Sequence, residues 1–525
     1  MEGTLWAFLP ALIAIVLALV TKQVYVSLFL GIFVGAMMYA GGDPLKAMFT
    51  LYQVMSEKVG GNTPIIVFLV VLGIFVVLMQ KSGGARAYGE WAGRKIKSKS
   101  GALAATAGLG CLIFVDDYFN CLTVGSVMRP VTDKFKVSRA KLAYIIDATA
   151  APVCIIAPIS SWAAAVAGEL EGDGLMVFIS TIPFNIYALL TLVMVFTLCY
   201  LNFDFGKMKK NEAIALETGD LHAGAAENDE KTAEVLSNPN GKVRHLLIPV
   251  IVLIACCIGG MIYTGFFYNW DTGLIDTELQ SANVIEAFSN CDAGMSLAIG
   301  STIALFIVAI YYMCAKVVSF KEITGSFTEG FKAMVPAILI LTFAWSISGI
   351  MGAKGGYLDA QAFVEANLAG SAFPQWLFPA IFFILACAIA FSTGTSWGTF
   401  GVLVPIAVTI LGGSGTMAIL TVSATLGGAV YGDHVSPISD TTILASAGAQ
   451  CNHVDHVNTQ LPYATLIAGI AALSYLIAGL CASLGSVLCC IIMWVVALAL
   501  FAGAVFLIQY LNKKKCSDAV SITKE

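Results

Sequence analysis

The sequence predicts an all-α polytopic membrane protein with two inverted-topology repeats, each containing a re-entrant hairpin and an unwound, broken transmembrane helix. Three observations lead to this fold class: apolar runs of about 20 residues, Lys and Arg confined to certain loops, and two halves that match in sequence. The chain has 525 residues, of which 58% are hydrophobic and 12% charged. Soluble domains average roughly 25% charged residues, so the composition indicates a protein whose partner is the lipid bilayer. The net charge is −5 and no basic face stands out, which argues against nucleic-acid binding.

The distribution of Lys and Arg sets the expected orientation, because cytoplasmic loops carry an excess of positive charge. The acidic segments 168–174 and 268–293 contain no Lys or Arg, and we expect them outside. Residues 5–20 are expected to form a retained helix, since no basic stretch precedes them. The segments expected in the cytoplasm, all rich in Lys and Arg, are 81–99, 129–141, 202–244, 316–332 and 513–515.

An apolar stretch at 100–128 lies between two of the cytoplasmic segments. Two membrane crossings need about 40 residues, so this stretch is too short to leave and return. Asp116 and Asp117 lie near its middle, where a charge costs roughly 2.5–3.5 kcal/mol unless a cation, a proton or water compensates it. We therefore predict a re-entrant hairpin that turns at these aspartates and holds a cation, a proton or water there. The alternative is a salt bridge, for example to Arg129, that holds the hairpin in place.

A broken helix is predicted at 142–166, where Pro152 and Pro158 interrupt an apolar run. Proline lacks an N–H and frees a backbone carbonyl, which can bind a cation together with the hydroxyls of Ser160 and Ser161.

Asp147 precedes this break. We interpret it as a charge at the cytoplasmic end of the helix, and a proton-relay residue is the alternative. The first repeat then spans 1–201, and the charged segment 202–244 is predicted to be a cytoplasmic linker with little fixed structure.

The second repeat is predicted at 245–484, followed by a last transmembrane helix and a basic cytoplasmic tail at 485–525. Its hairpin, at 376–411, has flanks without Lys or Arg and is expected to enter from outside. Its broken helix is expected at 418–449. The candidate ligands in these two elements, all with oxygen or nitrogen atoms in apolar surroundings, are Thr393, Thr395, Ser396, Asp433, His434, Ser436, Ser439, Asp440 and Thr441. For the hydroxyl residues the alternative role is helix packing.

The two halves match in order and at nearly constant spacing. Thr63-Pro64 pairs with Val335-Pro336 at the start of an apolar run, and Ala157-Pro158-Ile159-Ser160-Ser161 pairs with Ser436-Pro437-Ile438-Ser439-Asp440. The expected crossings make the two copies inverted. Inverted repeats with broken helices around a midplane site are typical of secondary transporters.

Two further groups of residues have ordinary interpretations as well as functional ones. His453, Asp455 and His456 resemble a metal cluster by residue type, but we expect them in a solvated cytoplasmic loop. Trp162 and Trp397 either line the cavity or pack in the core.

Three motifs carry a family resemblance: Phe114-Val115-Asp116-Asp117-Tyr118-Phe119-Asn120, Ala157-Pro158-Ile159-Ser160-Ser161-Trp162, and Gly432-Asp433-His434-Val435-Ser436-Pro437-Ile438-Ser439-Asp440-Thr441. Together they resemble the NhaC-type sodium/proton antiporter family, within the ion-transporter superfamily. The resemblance implies a homodimer, an elevator-like moving domain, and sodium sites where each hairpin meets the break of its own repeat. The residues implied are Asp116, Asp117, Asn120, Ser160 and Ser161 for the first site, and Thr393, Thr395, Ser396, Ser439, Asp440 and Thr441 for the second.

The predicted function is therefore a secondary active transporter of the cell membrane, a sodium/proton antiporter with sodium and protons as coupling ions and no cofactor. Asp116 and Asp117 would bind the two ions competitively, with Asp433 and His434 assisting proton access. Because the second hairpin turn is neutral, the alternative is a sodium- or proton-coupled transporter or exchanger of a small organic solute, either a carboxylate or an amino acid.

An intramembrane aspartyl protease fits poorly, since two adjacent aspartates do not face one another across a water. A passive channel fits poorly too, because hairpins in inverted repeats suit alternating access.

Overall fold

The computed structural model describes a helical protein with one small β-ribbon, in which Tyr268–Asn269 pairs antiparallel with Leu274–Ile275. Parts of the predicted topology, including 171–173, 352–356 and much of 270–290, lie outside the described residues. The described residues are 4–21, 23–170, 174–201, 203–224, 238–269, 274–276, 279–281, 283, 287, 291–351, 357–360, 362–363, 374–412 and 415–522.

The helices of the first half, in chain order, are α1 Leu9–Thr21, α2 Val24–Tyr39, α3 Pro44–Gly61, α4 Thr63–Lys81, α5 Gly84–Lys95, α6 Lys99–Leu112, α7 Asp117–Asp133, α8 Arg139–Ala148, α9 Ala151–Cys154, α10 Ser161–Glu169, α11 Gly174–Thr181 and α12 Ile186–Leu201. Those that follow are α13 Gly206–Thr218, α14 Arg244–Phe267, α15 Ala293–Cys314, α16 Phe320–Met351, α17 Phe378–Thr393, α18 Ser396–Leu411, α19 Thr416–Val435, α20 Asp440–Ala449, α21 His453–Cys481 and α22 Ser486–Ile522. Short 3₁₀ turns occur at Leu5–Phe8, Ile182–Phe184, Gln375–Leu377 and Ala482–Leu484.

The predicted class, an all-α polytopic membrane protein, is confirmed. Within the described residues, seven helices are long and apolar enough to cross a membrane. Two bent pairs raise the number to nine if each is one span: Tyr25–Tyr39 with Pro44–Gly61, bent by 119°, and Phe320–Pro336 with Ile338–Met351, bent by 42°. The second bend falls at Pro336, where the missing N–H interrupts the helical hydrogen bonds.

Each half contains a helix hairpin followed by a broken helix, in the same order. In the first half, α6 and α7 form the hairpin, and α8, α9 and α10 form the broken helix. In the second half, α17 and α18 form the hairpin, and α19 and α20 form the broken helix. We call residues 113–117 the first tip, 155–160 the first break, 393–396 the second tip and 436–439 the second break.

The expectation of little fixed structure in the linker is wrong for α13, although 225–237 lies outside the described residues. Glu212 on this helix is buried, with Oε2 2.5 Å from Lys99 Nζ and 3.7 Å from Lys141 Nζ. Lys141 is fully buried and also pairs with Asp204 at 2.8 Å. The charged residues of this segment indicated disorder from the sequence. In the structure, the Glu212 ion pairs instead hold α13 against the start of the first hairpin and the start of the first broken helix.

Candidate ion-binding site

The first tip is joined to the first break by backbone and side-chain hydrogen bonds. The Ser161 N–H donates to the Val115 carbonyl at 3.0 Å, and Trp162 Nε1 donates to Asp117 Oδ2 at 3.0 Å. Asp116 caps the start of α7, where its Oδ1 accepts from the Phe119 N–H at 2.9 Å. Asp116 is 2% exposed and Asp117 0% exposed. A helix start favours negative charge, so this tip is built to hold two buried carboxyl groups.

Asn120 ties the first tip together. Its Nδ2 donates to the carbonyls of Gly110, Ile113 and Thr149 at 2.7, 3.0 and 3.0 Å. Its Oδ1 is buried and has no hydrogen-bond partner among the described residues. The amide thus fixes the backbone around the tip and leaves one oxygen with free acceptor capacity, which suits a hard cation.

Ser160 shapes the first break. Its hydroxyl lies 2.8 Å from the Cys154 carbonyl and 3.0 Å from that of Ala157, and it accepts from the Ala163 N–H at 3.0 Å. These contacts form the turn and cap α10, so the Ser160 side chain is engaged in building the break.

A salt bridge from the first tip to Arg129 is excluded by distance. Arg129 lies on α7 itself, twelve residues after Asp117, which corresponds to roughly 18 Å along the helix axis.

The second tip meets the second break in a corresponding way. The Asp440 N–H donates to the Gly394 carbonyl at 3.3 Å, and Ser436 Oγ donates to the Phe391 carbonyl at 2.7 Å. Gly394 has φ +69°, and a Cβ at this position would overlap the Ile438 carbonyl. The position therefore requires glycine for two reasons, its left-handed backbone and the close approach of the break.

The hydroxyls of the second tip are mostly used within the helices. Thr393 Oγ1 donates to the Ile389 carbonyl at 2.8 Å, and Thr395 Oγ1 caps α18 by accepting from the Gly398 N–H at 3.4 Å. Ser396, the first residue of α18, is 2% exposed. The tip is neutral, as its sequence requires.

The second break gathers oxygen atoms around Asp433. Thr441 Oγ1 donates to Asp433 Oδ2 at 2.7 Å, and the Ser439 and Thr441 hydroxyls lie 3.3 Å apart. Ser439 also caps α20, accepting from the Thr442 N–H at 3.2 Å. Asp433 Oδ1 is buried without a hydrogen-bond partner among the described residues. The structure therefore brings Asp433, Ser439 and Thr441 together, with acceptor capacity to spare.

The two sites touch each other across the repeats. From the first hairpin, the Tyr118 hydroxyl donates to Asp440 Oδ2 at 3.4 Å. Trp162 and Trp397 pack with ring centroids 5.8 Å apart, and both are buried. Trp162 thus packs in the core while its N–H serves the first tip.

Sequence reasoning missed the role of Asp147. It is not a charge at a helix end exposed to the cytoplasm, because it is fully buried and bonds with Gln460 and Thr442. The expected loop at 453–456 is also wrong, since α21 begins at His453 and His456 is fully buried. The sequence signal was a polar pair four residues apart, His456 and Gln460, which a helix places on one face.

Comparisons with known proteins identify the family of this chain. The sequence profile of the Na+/H+ antiporter family matches residues 169–480. A relative from Haemophilus influenzae, described as an uncharacterized protein, is 39% identical over 497 residues, 91% of each chain. The malate-2H(+)/Na(+)-lactate antiporter of Bacillus subtilis is 31% identical over 147 residues, which are 27% of this chain and 30% of that one.

Among solved structures, the YdaH transporter of Alcanivorax borkumensis aligns with a TM-score of 0.47 and 14% identity, over 88% of this chain and 98% of that one. The sodium/proton antiporter prediction and the NhaC-type resemblance are confirmed at the level of the family. The chain belongs to the Na+/H+ antiporter family, and it is a multi-pass secondary active transporter and not an enzyme.

Proposed function

We propose that this antiporter exchanges sodium ions for protons at the first tip, with Asp116 and Asp117 as the groups that bind both. The observation that carries the proposal is a pair of adjacent, buried carboxyl groups that accept hydrogen bonds from N–H groups and form no ion pair with a Lys or Arg in the described part of the chain. Adjacent carboxylates in a low-dielectric interior cannot both stay ionised without a compensating positive charge. A proton or a sodium ion supplies that charge, and the two compete because they neutralise the same oxygens.

The ligand set around these carboxylates favours sodium over softer metals. Asn120 contributes a buried oxygen without a protein partner, and the carbonyls of the first break lie next to the tip. Hard alkali cations prefer such oxygen ligands. We propose the side chains of Asp116, Asp117, Asn120 and Ser161 as the sodium ligands, with Ser160 positioning the break.

The proposal is tested by comparing two aspartates that play the same structural role. Asp116 caps α7, and Asp43 caps α3 at the surface by accepting from the Leu45 and Lys46 N–H groups at 2.9 and 3.2 Å. Asparagine caps helices as well as aspartate, so Asp116→Asn and Asp43→Asn both keep the cap and lose the charge. In inverted vesicles, we expect Asp116→Asn to lose sodium-dependent proton flux and Asp43→Asn to keep it. Purified Asp116→Asn should bind sodium roughly 100-fold more weakly, equivalent to about 2.7 kcal/mol. Unchanged flux in both Asp116→Asn and Asp117→Asn would falsify the site assignment.

We further propose that residues 1–201 and 245–484 are the two inverted repeats of the transporter. The repeats would alternate access by an elevator-like movement of the hairpins and broken helices in a homodimer of the plasma membrane. This part of the proposal rests on the family resemblance and the duplicated order of elements. Cross-linking of cysteine pairs placed in a hairpin and a neighbouring spanning helix, with and without sodium, tests the movement.

A second candidate function is the exchange of a small organic solute. The second tip is neutral, and next to it the buried Trp397 Nε1 has no hydrogen-bond partner among the described residues. An N–H without a partner is able to bind a carboxylate oxygen. The relative from Bacillus subtilis is named for malate and lactate, so these are the solutes to offer first. Sodium-coupled uptake of either one that falls in Trp397→Phe, but not in Trp91→Phe on the exposed face of α5, supports this function. Indifference to both solutes counts against it.

A further inference from the structure

A buried cluster separate from both tips lies between the two repeats. Asp147 Oδ2, on α8, accepts from Gln460 Nε2 at 2.6 Å and from Thr442 Oγ1 at 3.2 Å. The same oxygen lies 3.4 Å from His456 Nε2 on α21. Asp147, Thr442, Gln460 and His456 are all fully buried. The first repeat thus contributes the carboxyl group, and the second contributes the imidazole and the two neutral donors.

The charges around this cluster balance within it. From α19, His434 bonds through Nδ1 with the Tyr187 hydroxyl of α12 at 2.9 Å, and its carbonyl accepts from Gln460 Nε2 at 2.6 Å. Asp433 is its neighbour on the same helix. The Asp147 carboxyl group therefore lies close to two imidazoles, His434 and His456, with the Asp433 carboxyl group nearby, and no Lys or Arg forms an ion pair with these groups in the described part of the chain. The other titratable groups packed nearby are Tyr144 on α8 and Cys121 on α7.

Several polar atoms of the cluster have spare hydrogen-bonding capacity. Asp147 Oδ1, both ring nitrogens of His456 and His434 Nε2 are buried with no hydrogen-bond partner in the described residues. Buried polar atoms are nearly always satisfied, so unsatisfied ones mark a place where a proton or a water binds. A carboxyl group and an imidazole 3.4 Å apart hold one proton between them as a neutral unit, and lose it as a unit of charge −1.

We propose that Asp147 and His456 form a proton-binding pair, distinct from Asp116 and Asp117, which releases its proton when sodium binds at the first tip. The inference deepens the proposed sodium/proton exchange and rests on it. This proton leaves for solvent in addition to the one that sodium displaces from Asp116 and Asp117, so two protons leave as one sodium ion enters and the buried region becomes more negative by one charge.

The contacts connect the pair to both sites. Asn120 of the first hairpin donates to the Thr149 carbonyl, two residues after Asp147. On the other side, Thr442 Oγ1 lies 3.2 Å from Asp147 Oδ2 and 3.3 Å from the Asp433 carbonyl at the second broken helix. Movement of either segment on ion binding therefore changes the surroundings of the Asp147 carboxyl group. By thermodynamic reciprocity, the proton on the pair must then alter sodium affinity by the same factor.

Isothermal titration of purified protein with NaCl tests the proposal, with choline chloride as the ionic-strength control. Repeating the titration in buffers of different ionisation enthalpy gives the number of protons released per sodium ion bound. The key variant is Asp147→Asn/His456→Gln, which replaces both partners by neutral groups of similar shape and leaves no buried charge unpaired. We expect it to bind sodium at high pH within about threefold of the wild-type affinity, while releasing about one proton fewer per sodium ion at neutral pH. His245→Gln, a buried histidine of α14 that packs on Tyr311 and Tyr312, should release the wild-type number.

The outcomes separate this inference from the proposed function. A double variant with the wild-type proton count across about pH 6 to 9 overturns the pair, because a merely structural role would not set that count. Asp117→Asn with wild-type sodium binding and proton release overturns the tip site, whatever the pair does. If the double variant does not remain monodisperse, His456→Gln alone is measured, and a wild-type proton count in that variant overturns the pair. Asp147→Glu, which keeps the carboxyl group, should restore proton release that Asp147→Asn lacks, and failure to do so contradicts the proposal.

Discussion

Gly125 and Gly448 allow the first hairpin to pack directly on the second broken helix. A Cβ on Gly125 would lie 2.7 Å from the Cα and carbonyl oxygen of Gly448, and closer still to its carbonyl carbon. These are backbone atoms, so no change of rotamer relieves the overlap, and Gly125→Ala must push α7 and α20 apart by about 1 Å. Overpacking of this kind costs about 1–3 kcal/mol. The shift would also stretch the 3.4 Å hydrogen bond from Tyr118 to Asp440 beyond its useful range.

We therefore expect Gly125→Ala to unfold at a lower temperature in detergent and to lose sodium-dependent proton flux in vesicles. The matched control is Gly108→Ala on the other arm of the same hairpin, where an added Cβ meets nothing within 4 Å. That change removes a helical glycine, so it should be neutral or stabilising by up to about 1 kcal/mol. Equal stability and flux in the two variants would refute the close packing between the first hairpin and the second repeat.

Two further pairs of variants test the second tip and α13. Gly394→Ala should abolish transport, because its Cβ would overlap the second break. Gly412→Ala is also at positive φ but in open space, so it should keep transport and lose only a little stability. Proteoliposome flux and thermal unfolding separate the two variants. Glu212→Ala leaves the buried Lys141 with one partner fewer and should destabilise the protein by about 3–5 kcal/mol, measured by unfolding in detergent. Glu217→Ala, exposed on the same helix, should stay within about 0.5 kcal/mol of wild type, and a similar loss in both would show that α13 carries no specific contact.

The sequence predicted the elements that depend on local composition. The two hairpins follow from apolar runs of limiting length with polar residues at the centre, and Pro158 and Pro437 mark the breaks in both repeats. These hairpins and breaks can be predicted from the sequence because the bilayer restricts which backbone conformations are tolerated. The same reasoning failed for α13, because the charges in that segment find partners on α6 and α8 that are distant in sequence.

The roles of individual site residues were harder to predict. The sequence predicts Ser160 as a ligand, yet its hydroxyl holds the backbone of the break. The Asn120 amide nitrogen holds the backbone of the tip, and only its oxygen is left for the predicted ligand role. Asp147 was misread because its partners, Gln460 and His456, come from the other repeat more than 300 residues away. A single sequence gives no measure of such long-range pairings, which arise only when the two repeats pack together.

The contacts between repeats bear on how the two sites depend on each other. If each tip contacted the break of its own repeat alone, ion binding at one site would leave the other unchanged. Here, however, the Tyr118 hydroxyl reaches Asp440, and Trp162, which donates to Asp117, packs on Trp397 at the start of the second tip helix. Tyr118 is the next residue after Asp117, and Trp162 is hydrogen-bonded to Asp117. An ion that changes the position or charge of Asp117 therefore acts on both contacts between the repeats. Since coupling free energies are reciprocal, we expect an ion or solute bound at the second tip to change sodium affinity at the proposed first site, so that a solute there acts as a cosubstrate or a competitor of sodium.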